Sequence, residues 1–193
     1  MKKHILLLML ILLISFSCQH QPSTVEFKAF ETTASGGTWS TVEAIAPSDM
    51  SITLELFPSE KYQTITGFGG AFTESTSHLF MRMSEAKRKE VIDAYFGPEG
   101  AAYSLTRTHI NSSDFSLGNY AYVETGDADL STFSIEEDMD DVVPVIKQAM
   151  NASQEGFKIL ASPWTAPPFM KDNNDWVGGK LLPEYYPSWA LFF

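Results

Sequence analysis

From Thr64 onward the sequence switches between two periods. Short apolar runs alternate with longer stretches whose apolar residues recur at helical spacing. Thr64 to Phe72 (TITGFGGAF) is apolar and glycine-rich, the pattern of a buried strand with a close backbone neighbour. Ser84 is placed to cap a helix over Glu85–Phe96. Ala86, Val91, Ile92 and Tyr95 lie on one side of it, and Gly97-Pro98 ends it. Ser104–Ile110 reads as the next strand. Ser134-x-x-Glu137 has the form of a capping box and predicts a helix from there to Ala152, with Met139, Val142, Val143, Ile146, Ala149 and Met150 at helical spacing. Pro144 is expected to distort that helix. Lys158–Trp164 reads as a third strand, and Leu182–Phe193, opening on Pro183 and Glu184, as the first turns of a third helix. Strands alternating with amphipathic helices require parallel pairing, which makes the chain α/β. A doubly wound sheet and a (β/α)8 barrel both satisfy the pattern.

The segment before Thr64 is different. Lys2 and Lys3 precede an unbroken apolar run from Ile5 to Ile14, too short to span a bilayer but suited to an export signal. Ser15, Phe16 and Ser17 then precede Cys18, an arrangement that resembles a relaxed bacterial lipobox. It implies cleavage after residue 17, lipidation of Cys18 and a membrane-anchored exported protein, attached to the membrane only through that lipid. Residues 18–24 read as a tether. Val25–Phe30, Thr38–Ile45 and Ser51–Phe57 are short, β-rich and separated by Gly36-Gly37 and Pro47-Ser48-Asp49. They are expected to be antiparallel strands of a side β-domain over residues 25–58, with the α/β domain over 59–193.

Charge and motif content narrow the function. Lys and Arg total 13 against 24 Asp and Glu, a formal net charge of -11, so the basic face a nucleic-acid partner needs is missing. Cys18 is the only cysteine, which excludes a disulfide within one chain. With two of the four histidines, His4 and His20, flanking the leader, a metal site is not expected. The glycines at 67, 69 and 70 do not form a GxGxxG between a strand and a helix. P-loop, HExxH, GxSxG and CxxC patterns are absent too, so no cofactor is expected.

The unusual residues sit at the ends of the strands, where ligands bind in α/β folds. Glu74 follows the first strand, Asp114 the second and Trp164 the third, while Arg107 lies within the second. A carboxylate accepts from sugar hydroxyls, and an indole packs on the C–H face of a pyranose. Each residue also has a purely structural reading. An ion pair, with Glu74 as one candidate partner, accounts for Arg107; Glu74 also reads as a loop cap, Asp114 as an Asx turn, and Trp164 as core. Trp176 reads equally as a rim aromatic or a loop anchor.

Gln63 to Glu74 (QTITGFGGAFTE) resembles the first barrel strand of glycoside hydrolase family 30, the glucosylceramidase (glucocerebrosidase) family. Tyr103–Ser116 is similar to its second strand and loop, and Leu160–Pro167 (LASPWTAP) to its third, followed by Met170-Lys171. The resemblance covers residues 57 to 193. It implies the first three βα units of an incomplete (β/α)8 TIM barrel joined to a side β-domain, and retaining hydrolysis of a β-glucoside or glucan by two carboxyl groups. Glucosylceramide is the expected substrate class, with a β-1,6-glucanase of the same family, or a non-catalytic surface glycan-binding protein, as alternatives. By this resemblance Asp114 and Trp164 bind the sugar, and Arg107 and Glu74 support the active site. The family carries its acid/base in an Asn-Glu-Pro motif after the fourth strand and its nucleophile after the seventh. No Asn-Glu dipeptide occurs in these 193 residues, so both catalytic glutamates are expected beyond Phe193, and this segment alone is expected to be unstable and inactive.

Overall fold

The computed structural model describes residues 28–42, 52 and 54–193. The leader, Cys18, the tether and parts of the expected N-terminal strands lie outside the described residues. The chain divides into one unit through Lys61 and a second from Tyr62 to Phe193.

In the first unit, β1 (Phe30–Glu31) pairs antiparallel with β2 (Ser40–Thr41), Phe30 opposite Thr41. The turn between them closes through Thr33 N–H to the Gly37 carbonyl, 2.8 Å. Phe30 and Trp39 stack with centroids 5.2 Å apart, covering one face of the pair. Described residues of the expected Ser51–Phe57 strand are not in a strand.

The second unit is a partial α/β barrel. Its parallel sheet runs in the order β3 (Ala71–Phe72), β4 (Leu105–Ile110), β5 (Lys158–Pro163). Ala71 is opposite Arg107, and Arg107 is opposite Leu160. The first strand is shorter than expected, yet residues 68–70 still run beside β4. The Phe68 carbonyl accepts from Ser104 and Leu105, and the Gly70 carbonyl from Arg107. Gly69 permits that approach, since a methyl there would overlap the Leu105 carbonyl oxygen.

Four α-helices accompany the sheet. Helix α1 (Glu74–Arg82) was not anticipated. Thr73 caps it by accepting from Thr76 N–H, a signal hidden because Thr73 directly follows the apolar run. Helix α2 (Glu85–Phe96) matches expectation, with Ser84 accepting from Lys87 N–H and Gly97 ending it. Helix α3 (Val142–Ala152) starts later than the Ser134 box suggests. Ser134 Oγ accepts from Glu136 N–H instead and turns the chain through a single 3₁₀ turn at Glu136–Asp138. Asp141 then caps the helix through Val142 N–H, 2.5 Å. Pro144 therefore falls in the first turn, where its missing N–H has no acceptor to lose, so it does not break the helix. Further 3₁₀ turns lie at Pro168–Met170 and at Pro183–Tyr185, the latter leading into α4 (Tyr186–Leu191).

Two apolar clusters hold the unit. Phe72, Ile92, Phe96, Val142, Val145 and Ala149 bury the faces of β3, α2 and α3 together. Val145 joins the expected Val142 and Ala149 on the buried face of α3, while Met139, which precedes the helix, and Met150 are exposed. Tyr122, Val123 and Phe192 form the second cluster, joining the loop after β4 to the C-terminal segment. Strand β5 keeps nearly all of its side chains exposed, with Leu160 at 60%. Replacing Gly69 with Ala forces β3 and β4 apart at the backbone, where no rotamer change relieves the overlap. The expected loss is about 3 kcal/mol in urea unfolding; an unchanged midpoint contradicts this packing.

Candidate functional site

Parallel pairing fixes where the expected site residues emerge. The ladder between β4 and β5 continues one step past the last strand residue, through Trp164 N–H to the Ile110 carbonyl, 3.4 Å. Because side chains alternate along a strand, Leu160 and Trp164 share a face. Arg107 is in register with Leu160, and its guanidinium carbon lies 4.8 Å from the centroid of a Trp164 ring. The cation therefore rests on the indole, a contact worth about 0.5–2 kcal/mol. Among the described residues no carboxylate lies within ion-pair distance of Arg107; the ion pairs are Lys87–Glu90 and Lys89–Asp93 on α2. Of the two readings of Glu74, the pairing with Arg107 does not form.

Glu74 acts on the neighbouring loop instead. Its carboxylate accepts from Leu117 N–H, 3.1 Å, while Ser75 donates through both N–H and hydroxyl to the Phe115 carbonyl. The N-terminus of α1 thus grips the turn at 113–117. Within that turn Phe115 N–H donates to Ser113 Oγ, and Ser113 N–H to Ser116 Oγ. Ser113 and Ser116 thereby supply the side-chain oxygens that an Asx turn would have taken from Asp114. The Asp114 carboxylate has no hydrogen-bond partner among the described residues, and it is exposed.

Asp114 and Trp164 line one hollow of about 310 Å³, together with Ser112, Asn119, Thr165 and Trp176. That volume falls at the small end of ligand sites. Polar groups from the loop after β4 face indoles carried after β5. Among the described residues no cluster of three His, Cys, Asp or Glu side chains is spaced for a metal ion.

The loop that carries Asp114 is fixed from beneath by residues the sequence reading did not single out. Asn111 is fully buried and left-handed, with φ of 62°. Its side chain accepts from Tyr122 N–H, 3.0 Å, and donates to the Thr165 carbonyl, 3.3 Å. One amide therefore ties the loop after β4 to the segment beside Trp164. His109 Nδ1 lies 2.8 Å from the Asn111 carbonyl, which requires the proton on Nδ1. Further along, Tyr120 and Tyr122 both donate to the carboxylate of buried Asp138, Tyr120 at 2.8 Å. Burial and then the bond to Asp138 hold both phenols well above their ordinary range. The only sequence hint of this network was the alternation Tyr120-Ala121-Tyr122, which carries no information about a partner 16 residues away.

The chain also matches the model of the glycosyl hydrolase family 30 TIM-barrel domain over residues 65–193. It belongs to that family. The mouse lysosomal acid glucosylceramidase is 36% identical over 147 residues, 72% of this chain and 28% of that protein. An endo-1,6-β-D-glucanase of Neurospora crassa is 32% identical over 154 residues, 76% of this chain and 32% of that protein. Among solved structures, SrfJ from Salmonella typhimurium is 41% identical with a TM-score of 0.65, over 70% of this chain and 31% of that one. An endo-β1,6-glucanase is 31% identical with a TM-score of 0.69, over 86% of this chain and 37% of that one. The chain spans about a third or less of the length of the curated relatives named here.

Replacing Asp138 with Ala leaves the buried Tyr122 phenol and the half-buried Tyr120 phenol without an acceptor. We expect a loss of about 3 kcal/mol in urea unfolding, with Asp138→Asn recovering part of it. Equal stability of Asp138→Ala and the parent chain contradicts the role given to this carboxylate.

Proposed function

We propose that this family 30 chain supplies the sugar-holding side of a retaining β-glycosidase acting on β-1,6-linked glucan. One observation carries the reading: an unpaired carboxylate, Asp114, and an indole, Trp164, open onto the same ring-sized hollow at the C-terminal ends of parallel strands. Asp114 accepts hydroxyl protons of a glucose unit, and Trp164 packs on its C–H face. Arg107 holds the indole in place and adds positive charge beneath it. Glu74 keeps the Asp114 turn in position.

Similarity to known enzymes supports the β-1,6 linkage. An endo-β1,6-glucanase structure aligns over 86% of this chain, and the Neurospora endo-1,6-β-D-glucanase covers more of it than the mouse glucosylceramidase. A glucosylceramide substrate is the second reading, favoured by the higher identity to the mouse enzyme. Both substrates offer the same glucose unit to Asp114 and Trp164 and differ only in what is attached to it. In a retaining mechanism the attacking carboxylate and the acid/base stand about 5–5.5 Å apart across the scissile bond. We assign neither role to a residue of this chain, so holding the sugar and cutting the bond fall to different parts of the barrel. Calorimetric titration of the 193-residue chain with a β-1,6-linked glucose disaccharide, at a temperature where its urea unfolding is cooperative, tests the reading. Binding is expected, weakened at least about tenfold by Asp114→Ala or Trp164→Ala. Unchanged affinity in both variants contradicts it.

We further propose that the protein is exported and anchored through a lipid on Cys18, on the strength of the apolar leader and the Ser15-Phe16-Ser17-Cys18 sequence. Expression in a bacterium fed a clickable fatty acid should label the parent chain but not Cys18→Ser. Equal labelling of both, or none of the parent, contradicts the anchor.

A further inference from the structure

We infer that Trp176 is a second sugar-facing wall, held in place by Lys171, and that it determines what is accepted beyond the glucose unit bound at Asp114 and Trp164. The inference rests on the sugar-binding reading above and extends it to the group attached to that unit.

Lys171 is buried. Burying an ammonium is costly unless each of its protons finds an acceptor. Here Nζ donates to Thr165 Oγ1, to the Trp176 carbonyl and to the Gly178 carbonyl, each at 3.0 Å. All three donors are used on neutral oxygens, and among the described residues no carboxylate lies within ion-pair distance. Thr165 follows Trp164, so one ammonium joins the segments that carry the two indoles. Desolvation lowers the pKa of this amine, opposed by the charges of Asp175 and Asp172.

The segment so held is a closed loop. Lys171 pairs antiparallel with Leu181, Asp172 N–H donates to the Lys180 carbonyl at 3.0 Å, and Lys180 N–H returns to Asp172 Oδ1 at 2.8 Å. Asn173 Nδ2 spans the loop to the Val177 carbonyl, 2.8 Å. Gly179 is left-handed, and a methyl there would overlap the Asn173 amide. A loop fixed at this many points presents its side chains with little freedom left to lose on binding.

Trp176 and Val177 lie at its far end, and both line the hollow; Val177 is 81% exposed. They share this hollow of about 310 Å³ with Asp114 and Trp164, and Arg107 already covers part of Trp164. A glucose unit seated on Trp164 and Asp114 therefore leaves Trp176 facing its substituent. An indole suits a second pyranose, whose C–H face it covers. The Lys171 bonds use only the backbone carbonyl of Trp176, so truncating its side chain leaves the loop fastened.

The test titrates the 193-residue chain with two probes, methyl β-D-glucoside and the β-1,6-linked glucose disaccharide. Trp176→Ala is expected to weaken the disaccharide about tenfold and the methyl glucoside less than about twofold, with Trp176→Phe recovering most of the loss. Lys171→Met is expected to weaken the disaccharide selectively, and to add nothing when combined with Trp176→Ala, because both act on one wall. If the parent binds both probes and Trp176→Ala alters neither affinity, or alters both equally, the inference fails while the sugar reading stands. If the parent binds neither probe, the sugar reading falls and takes the inference with it.

Discussion

The central strand β4 is paired in parallel on both sides, and this constraint organises the rest of the unit. One residue, Arg107, is in register with Ala71 of β3 and with Leu160 of β5. Parallel strands held in that register end at the same level, so the segments that follow them must emerge side by side. Asp114 and Trp164 reach one hollow for this reason, although 50 residues separate them in sequence, and Glu74 reaches the turn that carries Asp114. Close approach of the backbones near Gly69 is part of the same constraint, since the ladder on the β3 side begins with the Phe68 and Gly70 carbonyls.

The site is built as a soft surface on a rigid frame. The groups that open onto the hollow, Asp114 and Trp164, make few bonds of their own. The groups behind them are heavily bonded: Asn111 links two loops, Asp138 takes two phenols, and Lys171 spends all three donors on its neighbours. Freedom of the outer groups and fixity of the inner ones are complementary. A carboxylate already satisfied by the protein would have little left for a ligand, and an unsupported loop would lose entropy on holding one.

Local chemistry announced much of this in the sequence. Ser84 and Gly97 bound a helix because a cap needs only one hydroxyl and one small residue, both adjacent in sequence. The apolar β4 and β5 runs were legible for the same reason. The Ser134 box misled because Asp138 is drawn to Tyr120 and Tyr122, and the apolar face that meets Phe72 and Phe96 begins only at Val142. Helix α1 was missed because Thr73 follows a glycine-rich apolar run without a break. At the site, the alternation of runs set Asp114 and Trp164 after strands and Arg107 within one, and there they lie. That alternation did not reveal that Arg107 rests on an indole rather than a carboxylate, nor that Glu74 serves the Leu117 backbone. Asn111 and Lys171 were illegible as supports, since each works through carbonyls that only the folded chain brings within reach.

A crystal structure of the 193-residue chain with the β-1,6-linked glucose disaccharide tests the account most directly. It should show one pyranose ring against Trp164, with a hydroxyl in hydrogen-bond contact with the Asp114 carboxylate and Arg107 still beneath the indole. Density for the sugar at any other surface, or a ring in the hollow that touches neither Asp114 nor Trp164, would contradict it.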